Sequence, residues 1–165
     1  ILVLQNEINC LDYVIDRAYE KQMTIILNPS PYDSGLDSCD LTKLSVFLIN
    51  EVEGRQISGY AEPQKILDVM REKFPASKIV LTLGGDGSVY ADGEQQIRQP
   101  IYKVKAVDTT AAGDTFTGFF VAGLVKGLPM KEVLDLCAKA AAIAVSRKGA
   151  VASIPTMDEV LHTEL

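Results

Sequence analysis

Apolar and polar positions along this chain follow two different periods, and the changes of period locate its elements. Residues 1–5 form an apolar run that reads as a buried strand, closed by Asn6 and Glu7. Leu11, Val14, Ile15 and Ala18 recur at helical spacing, which predicts a helix over residues 10–21 capped by Asn9. A second apolar strand over 24–27 is stopped by Asn28-Pro29-Ser30-Pro31, because proline cannot donate to a ladder. Strand, helix and strand at this spacing make a βαβ unit and therefore a parallel sheet. Residues 33–40 carry no strong signal and read as a polar loop.

A third strand over 46–49 leads into Asn50-Glu51-Val52-Glu53, after which Gly54 and Gly59 are expected to break up a short helical turn. Residues 63–74 predict an amphipathic helix with Ile66, Leu67, Met70 and Phe74 inward. A fourth strand over 78–83 runs into Thr82-Leu83-Gly84-Gly85-Asp86-Gly87. The pattern then changes to alternation, predicting antiparallel strands over 88–91 and 95–104 joined at Asp92-Gly93. Small residues around 111–113 open a helix to about residue 126, ended by Gly127 and Pro129. A second helix over 130–147 has an alanine-rich face from 138 to 144 and closes on Lys148-Gly149 as a glycine C-cap; Thr156 caps the last helix. With no repeat, linker or low-complexity stretch, the expectation is one compact α/β unit with a mainly parallel sheet and an antiparallel hairpin.

Composition narrows the chemistry. A chain of 165 residues with 47% hydrophobic content can bury a real core. Its net charge of −6 argues against a nucleic-acid surface, and no apolar run approaches the roughly 20 residues of a membrane span. The opening residues have no initiator methionine or charged leader and begin mid-strand, so a piece of a longer chain is expected. Cys10, Cys39 and Cys137 are scattered and odd in number, which argues against disulfides and thiolate zinc and for a reducing, cytoplasmic setting. His162 is the single histidine, which argues against a Ser-His-Asp triad or a histidine-rich metal site within this chain. Chemistry here has to use carboxylates, backbone amides and small polar groups.

Ligands of open α/β sheets bind beyond the carboxyl ends of parallel strands, and three polar motifs sit at such ends. Asn50 and Glu53 are either a turn residue and a solvated charge, or a pair serving a hydrated magnesium ion. Gly84, Gly85 and Gly87 either make a hairpin turn or let a phosphate approach the backbone, with the Thr82 hydroxyl donating to it. In the stretch 107–118, Ala111, Ala112 and Gly113 leave the first amides of a helix uncovered for an anion. Asp114 is either the cap of that helix or a base beside a bound phosphate. Of the two acids Asp108 and Asp114, one fits a structural role in the loop while the other acts on substrate. The alanines near Ala140 are either close helix packing or a flat wall for an adenine ring. Neither a P-loop nor a dinucleotide-binding glycine pattern is present.

Together these residues resemble the C-terminal part of the ribokinase-like sugar kinases, the phosphofructokinase-B family, over nearly the whole chain. The resemblance rests on Asp108-Thr109-Thr110-Ala111-Ala112-Gly113-Asp114-Thr115-Phe116, Asn50-x-x-Glu53, Gln5-Asn6-Glu7, and residues 144–150 followed by Ser153-Ile154-Pro155. It implies a three-layer ribokinase-like sandwich and ATP-dependent phosphorylation of a sugar hydroxyl, with ribose going to ribose 5-phosphate. Fructokinase, ketodeoxygluconate kinase, adenosine kinase and a non-catalytic nucleotide-binding fragment are the alternatives. By this resemblance Asp114 is the general base, and Ala111, Ala112 and Gly113 form the anion hole. Asn50 and Glu53 serve magnesium and the phosphates, Thr82, Gly84, Gly85 and Gly87 line the nucleotide, and Glu7 touches the sugar. Asp108, Thr110, Ala144, Arg147, Gly149 and Ser153 match a potassium site. The family's N-terminal sugar-binding half and β-sheet lid are absent from this sequence, which leaves a fragment expected to be inactive alone and to expose a sheet edge. A homodimer is expected of the full-length protein.

Overall fold

The computed structural model describes residues 1–165. It divides into two compact units, residues 1–84 with 89–97, and residues 85–88 with 98–165. This corrects the expectation of a single unit, and the second unit has its own packed helical pair.

Six strands form one sheet in chain order: β1 Leu2–Gln5, β2 Ile25–Asn28, β3 Val46–Asn50, β4 Lys78–Thr82, β5 Ser88–Ala91 and β6 Gln96–Gln99. The first four run parallel, with Gln5 opposite Asn28 and Asn50 opposite Thr82. Connections of a few residues lead from β4 to β5 and from β5 to β6. Neighbouring parallel strands need a crossover of a dozen or more, so these two pairs are antiparallel. Ile25, Ile26 and Leu27, Val46 to Ile49, and Ile79 to Leu81 are all buried. Successive side chains on a strand point to opposite faces, so burial of consecutive residues means that both faces of the sheet are covered. β1 ends the strand order, and Val3 is 40% exposed there, so the first strand is half exposed rather than buried.

In the first unit, α1 Leu11–Glu20, α2 Glu51–Ser58 and α3 Pro63–Lys73 connect the parallel strands. Leu11, Ile15, Ala18, Ile57, Ile66, Leu67 and Met70 join one core with Leu4, Ile25, Leu27, Phe47, Ile49, Ile79 and Leu81. Asn9 does not cap α1. The N-cap is Cys10, in the left-handed region at φ 60° with no side-chain cap, and Asn9 lies exposed outside the helix. Gly54 lies inside α2 rather than ending it: a Cβ there would meet Ile66 Cγ2 at 2.9 Å, so the missing side chain lets α3 close in. Gly59 does end α2, at φ 83° with its amide on the Arg55 carbonyl at 2.8 Å. The supposed polar loop at 33–40 holds a 3-10 turn, Ser34–Ser38, capped by the Asp33 side chain, and it carries Leu36 into the core at 1% exposure.

In the second unit, α4 Ala112–Val125 and α5 Met130–Val145 form an antiparallel pair, followed by α6 Met157–His162. Beyond α4, Gly127 at φ 67° donates to the Leu124 carbonyl at 3.0 Å and Leu128 donates to that of Gly123 at 3.1 Å. These are the two bonds of a Schellman motif, and they turn the chain into α5. Gly123 lies against Val133, whose methyls would stand 3.0 Å from an added Cβ, so the two helices approach closely. Ala140, Ala142 and Ala144 are buried, as close helix packing requires. α5 stops at Val145, earlier than residue 147, so Gly149 is not its C-cap. α6 begins with a capping box of Thr156 and Glu159. No helix is long and apolar enough to cross a membrane.

β6 stops at Gln99 although the alternation continues to Val104. Pro100 supplies no amide for a ladder. Beyond it, Gln99 Nε2 and the Tyr102 hydroxyl both donate to Asp135 Oδ1 of α5, at 3.3 and 2.9 Å. Gly87 sits against this segment, where an added Cβ would lie 2.1 Å from the Gln99 carbonyl oxygen, at φ 90°. Gly85, by contrast, faces open space with no positive φ. Gly87→Ala is therefore expected to lower folding stability by at least about 2 kcal/mol, from left-handed strain plus the clash. Gly85→Ala should stay within about 0.5 kcal/mol of the parent in urea denaturation.

Candidate active site

At one edge of the first unit, each of four parallel strands ends in a polar side chain: Gln5, Asn28, Asn50 and Thr82. Past β1, Asn6 Nδ2 donates to the Pro31 carbonyl at 2.7 Å, tying the β1 and β2 exits together, and Glu7 follows as an exposed carboxylate. Past β3, Asn50 is the N-cap of α2. Its Oδ1 accepts from the amides of Val52 at 2.9 Å and Glu53 at 3.0 Å. Glu53 answers with both oxygens, Oε2 taking the Asn50 amide and Oε1 taking Asn50 Nδ2, each at 2.9 Å. This is a capping box strengthened by a side-chain bond.

Glu53 is 3% exposed, which overturns its reading as a solvated surface charge. A buried carboxylate has to be hydrogen-bonded, and this one is, from a single neighbour. Such a pair does not fit direct coordination, since both Glu53 oxygens face Asn50 and no group of three His, Cys, Asp or Glu side chains gathers anywhere. It fits contact through the water shell that a magnesium ion keeps. The Thr82 hydroxyl donates to the Ile49 carbonyl at 3.4 Å, a long bond. The stretch Gly84–Asp86 is a 3-10 turn, with Gly84 at φ 52° and open space around both Gly84 and Gly85. A backbone free of side chains is thus available at these two positions, whereas Gly87 is glycine because the Gln99 backbone presses on it.

In the second unit the acidic stretch divides its labour. Asp108 Oδ1 accepts from the Thr110 hydroxyl at 2.6 Å and its amide at 3.0 Å, while Oδ2 accepts from the Gly149 amide at 3.0 Å. The amides of Val107 and Asp108 both donate to the Val145 carbonyl, at 2.7 and 3.2 Å. Residues 107–110 are thereby bound to the turn that follows α5, and Gly149 reaches its position at φ 103°. The Thr110 hydroxyl, then the amides of Thr110 and Gly149, hold the Asp108 carboxyl below the usual carboxylate range. Asp108 is the structural acid of the pair.

Asp114 is the third residue of α4, exposed, and not the cap, since the N-cap is Ala111 with no side-chain bond. The Ala112 amide is spent on the Thr109 carbonyl at 3.2 Å, so it is not open as the anion-hole expectation has it. The amides of Ala111 and Gly113 donate to no backbone carbonyl, and the positive end of the α4 dipole lies at this helix start. Thr115 sits one residue further on, buried, with its hydroxyl unpartnered.

The residues matched to a monovalent cation come together in this unit. Ala144, Arg147, Gly149 and Ser153 lie at and after the end of α5, where the Gly149 amide bonds Asp108, which also holds Thr110. Ser153 is 1% exposed and its hydroxyl donates to the Ala150 carbonyl at 2.7 Å. Carboxylate, hydroxyl and carbonyl oxygens form the hard donor set that such an ion prefers, so the residues fit it. Sequence reasoning named these positions but missed the pairing of Arg147 Nη2 with Glu159, at 3.0 Å.

A family model described as pfkB family carbohydrate kinase matches residues 3–157. The chain is 36% identical over 172 residues to a ribokinase of Schizosaccharomyces pombe, covering 97% of this chain and 53% of that protein. It spans about half the length of the curated relatives it matches. Among solved structures, it is similar to the Arabidopsis thaliana ribokinase complexed with ribose and ATP, at 29% identity and a TM-score of 0.84, covering 96% of this chain and 54% of that one. It is likewise similar to the Cryptococcus neoformans ribokinase in complex with ADP, at 28% identity and a TM-score of 0.85, covering 97% and 58%. The α/β fold with its ribokinase-like sheet is thus shown.

Because the folded Asp108 pKa is depressed, its hydrogen bonds stabilise the protein fully above the unfolded value of about 4. That stability is lost as pH falls through the folded value. Asp108→Asn, which imitates the protonated acid, should therefore lower the melting temperature near neutral pH. The gap to the parent should close as pH is taken below about 4; a gap constant with pH would show that the charge contributes nothing.

Proposed function

The chain belongs to the pfkB family of carbohydrate kinases, and on that footing we propose that it is the C-terminal, nucleotide-binding and catalytic part of an ATP-dependent sugar kinase acting on ribose. The observation that carries this is the start of α4. There the Ala111 and Gly113 amides are not spent on a backbone carbonyl, Asp114 stands in the first turn, and the neighbouring acid Asp108 is consumed by the loop.

In this reading the γ-phosphoryl group of ATP passes to a sugar hydroxyl whose proton goes to the Asp114 carboxylate. A carboxylate is a weak base toward an alcohol. It suffices because the phosphoryl transition state is loose and asks mainly for positioning and charge stabilisation. The Ala111 and Gly113 amides, backed by the α4 dipole, face the charge on the phosphoryl oxygens. The bare backbone at Gly84 and Gly85 and the hydroxyl of Thr82 line the nucleotide, and Glu7 touches the sugar. Magnesium neutralises phosphate charge when bound; Asn50 and Glu53 meet its water shell. The loops around Asp108, Thr110, Ala144, Arg147, Gly149 and Ser153 would hold potassium, which would supply positive charge when bound. The relatives' ribose, ATP and ADP complexes support ribose and ATP as the partners. The cytoplasm, where Cys10, Cys39 and Cys137 stay free thiols, is the proposed setting.

The test is an ATP-depletion assay of the intact enzyme over ribose, fructose, ketodeoxygluconate and adenosine, with magnesium and potassium. Ribose should turn over fastest. Asp114→Asn should then cut kcat by about 10²- to 10⁴-fold while the ATP dissociation constant stays within about threefold. Equal loss of ATP affinity and turnover would assign Asp114 to the helix start instead, and preference for another acceptor would replace ribose within the family.

A further inference from the structure

Glu159 is held by two different partners. Oε2 accepts the Thr156 amide at 2.8 Å, closing the capping box of α6, while Oε1 accepts Arg147 Nη2 at 3.0 Å. Arg147 lies in the turn just past α5, its amide on the Ala144 carbonyl at 3.1 Å. Two residues later comes Gly149, whose amide reaches Asp108 Oδ2 at 3.0 Å. Asp108 in turn fixes Thr110, the residue before the open amide of Ala111. A continuous route therefore runs from α6 to the start of α4, entirely within the second unit.

One link in that route is weak by itself. Gly149 adopts φ 103°, and glycine has many other conformations available at similar energy. Its neighbour Lys148 is exposed, and Ala150 is held only from further along the same segment, by the Ser153 hydroxyl at 2.7 Å and amide at 3.1 Å on its carbonyl. Arg147 is the side chain of this turn that is anchored to another element, and Glu159 is its anchor.

We infer that Glu159 is a positioning residue for the amides at the start of α4: by gripping Arg147 it keeps the turn after α5 where Gly149 can hold Asp108. This rests on the proposed reading of those amides as the site of phosphoryl charge. The pair is half exposed, with side-chain exposures of 37% and 44%, so its contribution is modest, about two- to fivefold.

Glu159→Gln separates the two roles of this side chain, because glutamine still closes a capping box but carries no charge for Arg147. Arg147→Met removes the pair from the other side and leaves α6 untouched. Amide hydrogen exchange read by NMR on this chain should show the Gly149 amide exchanging about two- to fivefold faster in both variants. The amides of Ser146 and Val160 should be unchanged. In the intact kinase, kcat should fall by a similar factor at unchanged KM for ATP, and Arg147→Lys should recover part of it. Unchanged exchange at Gly149, or equal acceleration at Ser146 and Val160, would overturn the inference. An intact protein without kinase activity would sink the functional reading instead, and the exchange result would still decide the coupling.

Discussion

The carboxylate of Asp108 is the point on which the loops of the second unit depend. Three hydrogen bonds converge on it, two from Thr110 and one from Gly149, a residue 41 positions away. Without that bridge, the segment leading into α4 would be held to the end of α5 only by the Val107 and Asp108 amides on the Val145 carbonyl, and the residues between Asp108 and Ala111 would be less fixed. An anion site made of backbone amides is useful only if it is ordered before the anion arrives, since each amide that must be immobilised on binding costs entropy. Placing an ionised carboxylate under the loop achieves that order while spending the acid. Of the two neighbouring aspartates, Asp108 is thereby taken up in holding the loop.

The first unit solves a related problem with a different device. Its parallel strands are apolar on both faces and end in amide and hydroxyl side chains, so polarity is gathered at one edge of the sheet. Glu53 is a charge in a nearly closed position, and the surrounding structure tolerates it because Asn50 supplies both an amide and a side-chain donor. The same two residues start α2, so the polar edge and the helix that follows it cannot be altered separately. Any role toward a hydrated cation is therefore built on a capping interaction rather than added beside it.

Most of the elements were legible from periodicity because each depends on local contacts: the four parallel strands, α3, α4 and α5 fall within a few residues of their predicted spans. The candidate site was legible as a set of motifs, and less so as a set of roles. Nothing near Asp108 or Asp114 in sequence distinguishes them; Gly149 does, and it is distant. Gly87 looked like part of a glycine-rich phosphate turn, yet its missing side chain answers to the Gln99 backbone, a contact only the fold creates. The strand expected to run to residue 104 failed at Pro100, where the alternating pattern persisted but the donor did not. Leu36 was hidden because its burial depends on a turn capped by Asp33, too short to leave a period. Asn9 lost its capping role to a left-handed Cys10, a conformation that side-chain preference does not foretell.

The most direct measurement of the central claim is the pair of amide resonances of Ala111 and Gly113 in the intact protein, followed by NMR. Addition of ADP with magnesium and an aluminium fluoride mimic of the transferred phosphoryl group should shift both markedly downfield, as new hydrogen bonds to an anion require. AMP alone should leave them in place. If the nucleotide complex forms, seen in shifts elsewhere, while these two amides do not move, then the start of α4 does not hold the phosphoryl charge and the assignment of Asp114 as base loses its footing.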